Sequence, residues 1–523
     1  LAKELSVIAK GAGFVFAGFA ISKVLAYVYM ALVARGLGPG EYGVFSIALG
    51  IISLVSVFAA LGLYQGMLHF VAVYDSTGHR GKVRGTILLG LRAQVAASLV
   101  SALAIFLLAD WISSFFFNDP QLAPILKILA FSLPFLVLTS TLMIIVQAFR
   151  KIEYKVYIRS ILEIIAKIAF TVILFMLGYG VAGVALGLTL SSIFAFAVSL
   201  YTVQKKVYPL LARKAKALYN PKELLHYSWP LFAIGFFYTL MSSIDTLMLG
   251  SLSIAYDAGI YNVAHPTANL LTAVTTAFGT LFLPVITGLY AQKKTGEFAA
   301  TFKVVTRWEF ALIFPCLLFT VLFAPEILGT MFGKEYAVGA GALIILSIGI
   351  FLSSFTGEVK SILESIKRTK LIFYNTVFSG LLNVALNWWL IPLFGQSGNA
   401  IIGAAIATAA SYVVWNFLAL AEVYLLVKVH PYNRHYIQPA VAACIAIACF
   451  FAVKSAAPEL LSLPFTLALP LLCVFGAAFL ALYGLLFLFL RGLQPEDIGV
   501  LKQAEAKIGL RSARLRAFIK RFV

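Results

Sequence analysis

The sequence predicts an all-α polytopic membrane protein of fourteen transmembrane helices. They form two parallel six-helix lobes, related by a pseudo-twofold axis along the membrane normal, followed by two C-terminal helices. Three observations predict this. Of 523 residues, 62% are hydrophobic and 12% charged, with a mean hydropathy of +0.97, and a water-soluble fold of that composition would lack polar residues to cover its surface. Apolar stretches of about 20 residues, enough to cross a hydrocarbon core of roughly 30 Å as helix, alternate with short charged or Gly/Pro segments. Short patterns in the first half return at a nearly constant offset in the second.

The first stretch, 12–34, lacks a small-residue cleavage site and another apolar stretch follows at once, so it reads as a retained helix and not a signal peptide. Stretches 44–74, 86–109, 125–149, 160–178 and 181–204 complete the N-terminal lobe, 1–204. The longest segment between spans, 205–229 (KKVYPLLARKAKALYNPKELLHYSW), is a cytoplasmic linker between lobes. Stretches 230–250, 259–291, 304–325, 339–366, 371–394 and 400–427 form the C-terminal lobe, 230–428, and 437–456 and 464–490 are spans thirteen and fourteen within 429–491. The tail, 492–523, places Leu501, Ile508 and Leu515 seven apart among Lys and Arg, the pattern of an amphipathic helix on the inner membrane surface.

Charge orients this bundle in a cell membrane with both termini cytoplasmic. The cytoplasmic segments then hold 31 of the 40 Lys and Arg, the outward loops hold two, Arg35 and Lys334, and seven lie within or at the ends of spans. The positive-inside rule predicts this separation. The net charge of +19 is thus topogenic charge facing anionic lipid, and no nucleic-acid partner is expected. The four cysteines, Cys316, Cys444, Cys449 and Cys473, stand singly in apolar helices, without metal or redox spacing.

EYGVFSIA at 41–48 and DAGIYNVA at 257–264 share one grammar, 216 residues apart. QAFRK at 147–151 pairs with ESIKR at 364–368, and GVALGLTLS at 183–191 with GAAIATAAS at 403–411. Ser160, Glu163, Lys167 and Thr171 match Thr376, Ser379, Asn383 and Asn387, each 216 residues later. Six spans per copy is even, so both copies enter from the same side, one of the repeat arrangements that build secondary transporters. Gly36, Gly38, Pro39 and Gly40 supply a turn at the outer end of span one, while Gly43 and Gly259, without a Cβ, permit close helix approach as the next span begins.

ARGLGPGEYGVFSIA, 34–48, resembles the signature after the first helix in the polysaccharide-export branch of the multidrug/oligosaccharidyl-lipid/polysaccharide flippase superfamily. Fourteen spans as six, six and two, with cytoplasmic termini, resemble it as well. The resemblance implies a flippase that moves a polyprenyl-phosphate or pyrophosphate glycan outward through a central cavity by alternating access. It transfers no substrate contact, because cavity residues diverge among members.

Ionisable residues in a bilayer are costly and normally face a partner or an aqueous cavity. Candidate substrate-binding residues are Lys23, Tyr27, Arg92, Asp245, Asn262, His265, Asn269 and Thr272. Lys23, with Tyr27 on its face, lies about 17 Å into span one at 1.5 Å per residue; it either binds a phosphate as a point charge or pairs with a carboxylate. Tyr238, Ser242 and Asp245 form one stripe in span seven. Asn262, His265, Asn269, Thr272, Thr276 and Thr280 form a polar seam in span eight, either a hydrated wall or interhelical glue. Glu163 and Lys167, four apart, are expected to neutralise each other. Gln65, His69 and Gln94 are further candidates near the inner end. Glu309, Glu358 and Glu364 are expected to pair with Arg307, Lys360, Lys367 or Arg368.

No cofactor is expected. If a proton or sodium ion is exchanged, Asp245 is the first coupling candidate and Glu163 the second. The partners expected are the lipid-linked glycan, membrane lipids and polysaccharide-assembly enzymes. A cation-coupled multidrug exporter of the same fold is the alternative. A membrane glycan polymerase, ligase or glycosyltransferase is a third reading, disfavoured because no DxD, Ser-His-Asp set, metal cluster or P-loop is present.

Overall fold

The structure is a computed structural model; it describes residues 2–210, 216–456 and 465–494, with side chains from residue 21. From residue 495 the expected amphipathic tail lies outside the described residues. The chain runs through α1 (Ala2–Ala60), α2 (Leu63–Ser76), α3 (Arg80–Ile112), α4 (Leu122–Ala130), α5 (Ser132–Ala148), α6 (Ile152–Lys155), α7 (Glu163–Met176), α8 (Gly180–Thr202) and α9 (Pro221–Leu252). It continues through α10 (Ala255–Ala268), α11 (Thr272–Ala291), α12 (Thr295–Leu322), α13 (Ala324–Phe332), α14 (Ala340–Ser354), α15 (Val359–Ser365), α16 (Thr369–Gly395), α17 (Ala400–Val427), α18 (Ile437–Ala456) and α19 (Phe465–Phe489). Among the described residues there is no strand, as a hydrocarbon solvent demands of a chain that does not close a barrel.

Eleven of the described helices are long and apolar enough to cross a membrane, or twelve if α4 and α5, bent by 42° at their junction, form one span. Even twelve falls short of the expected fourteen, and two places account for it. α1 is two helices that meet at a kink at Gly38 (φ 74°, ψ 169°), within the Gly-Pro-Gly turn expected to end the first span, and together they count once. Between residues 152 and 176 the chain is helical throughout, α6 continuing through a π-helical turn at Val156–Leu162 into α7, but Arg159, Glu163 and Lys167 make this stretch too charged to stand among the apolar helices. Span eight is also divided, by a 3-10 turn at Asn269–Leu271 between α10 and α11.

Contacts divide the chain into two compact units. The first comprises Leu1–Asn262 and Asn387–Ile401, and the second Val263–Leu386 and Ile402–Val523. In the first, Leu63 and Met67 of α2, Val83 and Ile87 of α3 and Leu142 and Ile145 of α5 form a buried cluster. In the second, Phe282, Phe298, Phe302 and Ile362 form one cluster, and Phe479 and Tyr483 of α19 pack with Ala443 of α18 in another. Along α3, Leu99, Leu103, Leu107 and Trp111 are exposed, and Phe115 continues the row just past its end. Such a stripe, at steps of four residues, is a lipid-facing surface.

The recurring motif makes one close contact in the first unit. A Cβ on Gly43 would collide with the carbonyl of Ala255 and stand 3.0 Å from the Gly259 nitrogen. A Cβ on Gly259 would collide with the carbonyl of Pro39 and stand 3.0 Å from the Gly43 nitrogen. Pro39 and Ala255, like Gly43 and Gly259, stand 216 residues apart, so the two copies of the motif pack on each other through equivalent atoms. The glycines are required by backbone approach, as the sequence predicts.

Candidate functional site

The side chains chosen from sequence fall into three groups. The first surrounds Asp245, near the C-terminal end of α9. Its carboxylate is buried and accepts the Tyr261 hydroxyl at Oδ2, 2.9 Å, and the Asn387 amide at Oδ1, 2.6 Å. Beside it, the Asn262 amide donates to the Thr246 hydroxyl and to the Ala258 carbonyl, each 2.8 Å. Three helices thus converge on one carboxylate. Tyr238 and Ser242, expected on the same stripe as Asp245, are exposed, so of that stripe only Asp245 is buried.

The Asp245–Asn387 bond has a counterpart. The Tyr29 hydroxyl lies 3.4 Å from the Thr171 hydroxyl, and adding 216 to both numbers gives 245 and 387. The repeated helical faces are buried in both copies, at Ser160 and Thr171 and again at Ser379, Asn383 and Asn387. One copy carries a carboxyl group where the other carries a phenol.

The second group is the polar seam. The His265 Nε2 lies 3.3 Å from the Tyr412 hydroxyl and 3.1 Å from the Asn269 amide nitrogen. Below them Thr272 donates to the Asn269 carbonyl, Thr276 to that of Thr272 and Thr280 to that of Ala277. These hydroxyls satisfy their donors on their own helix and leave lone pairs for another partner. Asn262, His265, Asn269 and Thr272 are half-buried, and Thr276 and Thr280 exposed.

The third group is cationic. Lys23 is exposed on α1, one turn before half-buried Tyr27. Arg92 is exposed on α3 and donates to the Tyr219 hydroxyl at 3.4 Å. Neither forms an ion pair among the described residues, so the carboxylate partner considered for Lys23 is not found there. Gln94, by contrast, is wholly buried, donating to the Ala60 carbonyl and accepting the Thr141 hydroxyl, while His69 stacks on Tyr227 with centroids 4.9 Å apart.

Two expected pairings are corrected. Glu163 pairs with Arg159, at 3.0 Å and one turn earlier, not with Lys167. Lys167 instead holds its ammonium 4.1 Å from the centroid of the Tyr29 ring, a cation–π contact. Glu309 is fully buried and faces Glu358, whereas both were expected to pair with basic neighbours. Sequence reasoning passed over Tyr261, Tyr412 and Tyr219. Tyr261 was legible within the repeated motif; Tyr412 and Tyr219 carry no local signal.

Among the described residues, no three His, Cys, Asp or Glu side chains gather as metal ligands. The sequence profile of a polysaccharide biosynthesis protein family matches residues 8–289, and that of the MatE family matches 230–389. A putative O-antigen transporter of Shigella flexneri is 21% identical over 416 residues, 78% of this chain and 97% of that one. Two solved structures share the fold. The lipid II flippase MurJ in an inward closed conformation has a TM-score of 0.67 at 16% identity, covering 90% of this chain and 98% of that one. An inward-facing multidrug resistance MATE family transporter of the MOP superfamily has a TM-score of 0.64 at 14% identity, covering 79% and 98%.

Proposed function

The chain belongs to the polysaccharide biosynthesis protein family of the multidrug/oligosaccharidyl-lipid/polysaccharide flippase superfamily, and we propose that it flips a lipid-linked oligosaccharide from the cytoplasmic to the outer leaflet of the cell membrane. The substrate is a polyprenyl-phosphate or pyrophosphate glycan whose isoprenoid tail stays in lipid while its headgroup crosses. In this reading fourteen spans, with both termini cytoplasmic, build two like-oriented lobes, 1–204 and 230–428. The lobes alternate access around a site furnished by Lys23, Tyr27, Arg92, Asp245, Asn262, His265, Asn269 and Thr272. The inside-negative potential favours outward movement of an anion by about 2.3 kcal/mol per charge per 100 mV, so export needs no nucleotide.

One observation carries the choice of an anionic substrate. Lys23 and Arg92 are exposed and outside any ion pair among the described residues, while the acids Asp245 and Glu163 are already engaged. Exposed cations outside ion pairs, together with acids that are already hydrogen-bonded or paired, suit a phosphate, and an exporter of cationic amphiphiles would need the reverse. The names of relatives support the same reading, through a putative O-antigen transporter and a lipid II flippase.

The MatE match over 230–389 keeps the cation-coupled drug exporter as the competing function. A deletion strain separates the two. We expect it to accumulate lipid-linked glycan with its headgroup inside and to keep parental sensitivity to cationic drugs. Drug hypersensitivity with normal glycan export would overturn the proposal.

A further inference from the structure

Glu309 on α12 is completely buried, and among the described residues no donor reaches either of its carboxylate oxygens. Opposite it, within hydrogen-bonding reach, is the carboxyl of Glu358, which accepts the Ser361 hydroxyl at 2.7 Å. With Glu309 fully buried and Glu358 half-buried beside it, ionising both is opposed by desolvation and by mutual repulsion. Sharing a proton solves both problems, since one carboxyl donates and the other accepts.

The charged and titratable surroundings do not offer another solution. Arg307 is two residues before Glu309 on α12, and Lys360 two residues after Glu358, positions that point to other faces of a helix. Lys360 and Glu364 act on Glu358 with opposite signs. Tyr436, before α18, lies near both Glu309 and Arg307, and its hydroxyl donates to the Pro431 carbonyl at 3.3 Å. From α11 Gly279 comes close to Glu358, and the rings of Phe351 on α14 and Phe355 just after it pack on Phe310, the residue after Glu309.

The two carboxyls sit on elements of different rigidity. α12 is continuous through Glu309, whereas Glu358 stands at the break between α14 and α15, next to Gly357 with φ of 71°. The break also touches the helix of the polar seam. A Cβ on Gly279 of α11 would lie 2.8 and 2.9 Å from the two oxygens of Glu358, and Thr280 is the next residue. A shift of α11 would therefore press directly on one member of the pair.

We propose that Glu309 and Glu358 together hold one exchangeable proton and form the site through which the transport cycle takes it up and releases it. The coupling role rests on the flippase reading; the shared proton does not. The proton is bound as the O–H of one carboxyl, donated to an oxygen of the other. It leaves to water as the α14–α15 break separates the two groups, and returns when they close.

Infrared spectroscopy of the purified protein in lipid tests the pair itself. A protonated-carboxyl C=O band that shifts on exchange into heavy water is expected in the parent and lost in both Glu309→Gln and Glu358→Gln, where the amide donates in place of the proton. An unchanged band in both variants overturns the proposal. In proteoliposomes, an imposed proton gradient is expected to alter headgroup translocation by the parent and not by Glu309→Gln; parental, gradient-sensitive translocation by that variant overturns the coupling role. Should the glutamine variants fail to fold, Gly279→Ala, which crowds Glu358 without removing a carboxyl, is expected to shift the pH at which the band is lost, and no shift counts against the site. If the parent translocates no glycan while the band behaves as expected, the proton site stands and the flippase reading falls.

Discussion

Replacing Gly43 with alanine places a methyl group where the carbonyl of Ala255 already stands. The obstacle is backbone, so no side-chain rotation relieves it and the two helices must part. Overpacking of this kind costs about 1–3 kcal/mol. Gly259→Ala meets the carbonyl of Pro39 in the equivalent way and should cost about the same. Once one methyl has separated the helices the second finds space, so the double variant should lose less than the sum, with a coupling of about 0.5–3 kcal/mol. Gly40→Ala is the control from the same motif, because nothing lies within 4 Å of its added Cβ, and it should fall within about 0.5 kcal/mol of the parent. The assay is chemical unfolding of the purified variants in detergent, followed by tryptophan fluorescence. Strictly additive losses, or losses no larger than that of Gly40→Ala, would refute the contact between motif copies and the duplication argument built on it.

Asp245→Ala strands the Tyr261 hydroxyl and the Asn387 amide without their acceptor, at about 1–3 kcal/mol for each; Asp245→Asn keeps an acceptor oxygen and should lose less than half as much in the same unfolding assay. Lys167→Ala should cost about 1–2 kcal/mol through loss of the Tyr29 contact, and Lys167→Arg should restore most of it, an outcome a Glu163 pairing does not predict. Arg159→Ala should cost about 1 kcal/mol or less because the pair is partly solvated, with a loss that shrinks at high salt. A Lys23→Ala, Arg92→Ala double variant should fold normally and translocate headgroup more slowly than the parent; unchanged translocation removes both cations from the mechanism.

The membrane class and the repeat were legible because both are written as patterns over many residues. Gly38, Gly43 and Gly259 could be assigned from sequence because a turn and a close backbone approach each need a residue without a Cβ. The span count was less legible. Hydropathy marks an apolar stretch but does not weigh the charges inside it, as at Arg159, Glu163 and Lys167, or show a bend within it, as between α4 and α5.

Pairings of charge were the least legible. Glu163 stands four residues from both Arg159 and Lys167, so helical spacing alone cannot choose between them; the ring of Tyr29, more than a hundred residues away in sequence, decides by taking Lys167. For Glu309 and Glu358 the sequence offers basic neighbours two positions away, but the fold brings the two acids together, Glu309 from α12 and Glu358 from the break before α15. Asp245 was found because an acid in an apolar stretch is conspicuous. Its partner Asn387 was visible only as the repeat equivalent of Thr171.

The most direct test is translocation by the purified protein in vesicles of defined lipid. A polyprenyl-pyrophosphate oligosaccharide placed in the leaflet that faces the cytoplasmic side should become accessible, on the other side, to a glycosidase that cannot cross the bilayer, and an inside-negative potential should speed its passage. Accessibility no greater than in protein-free vesicles, at any potential, would contradict the account.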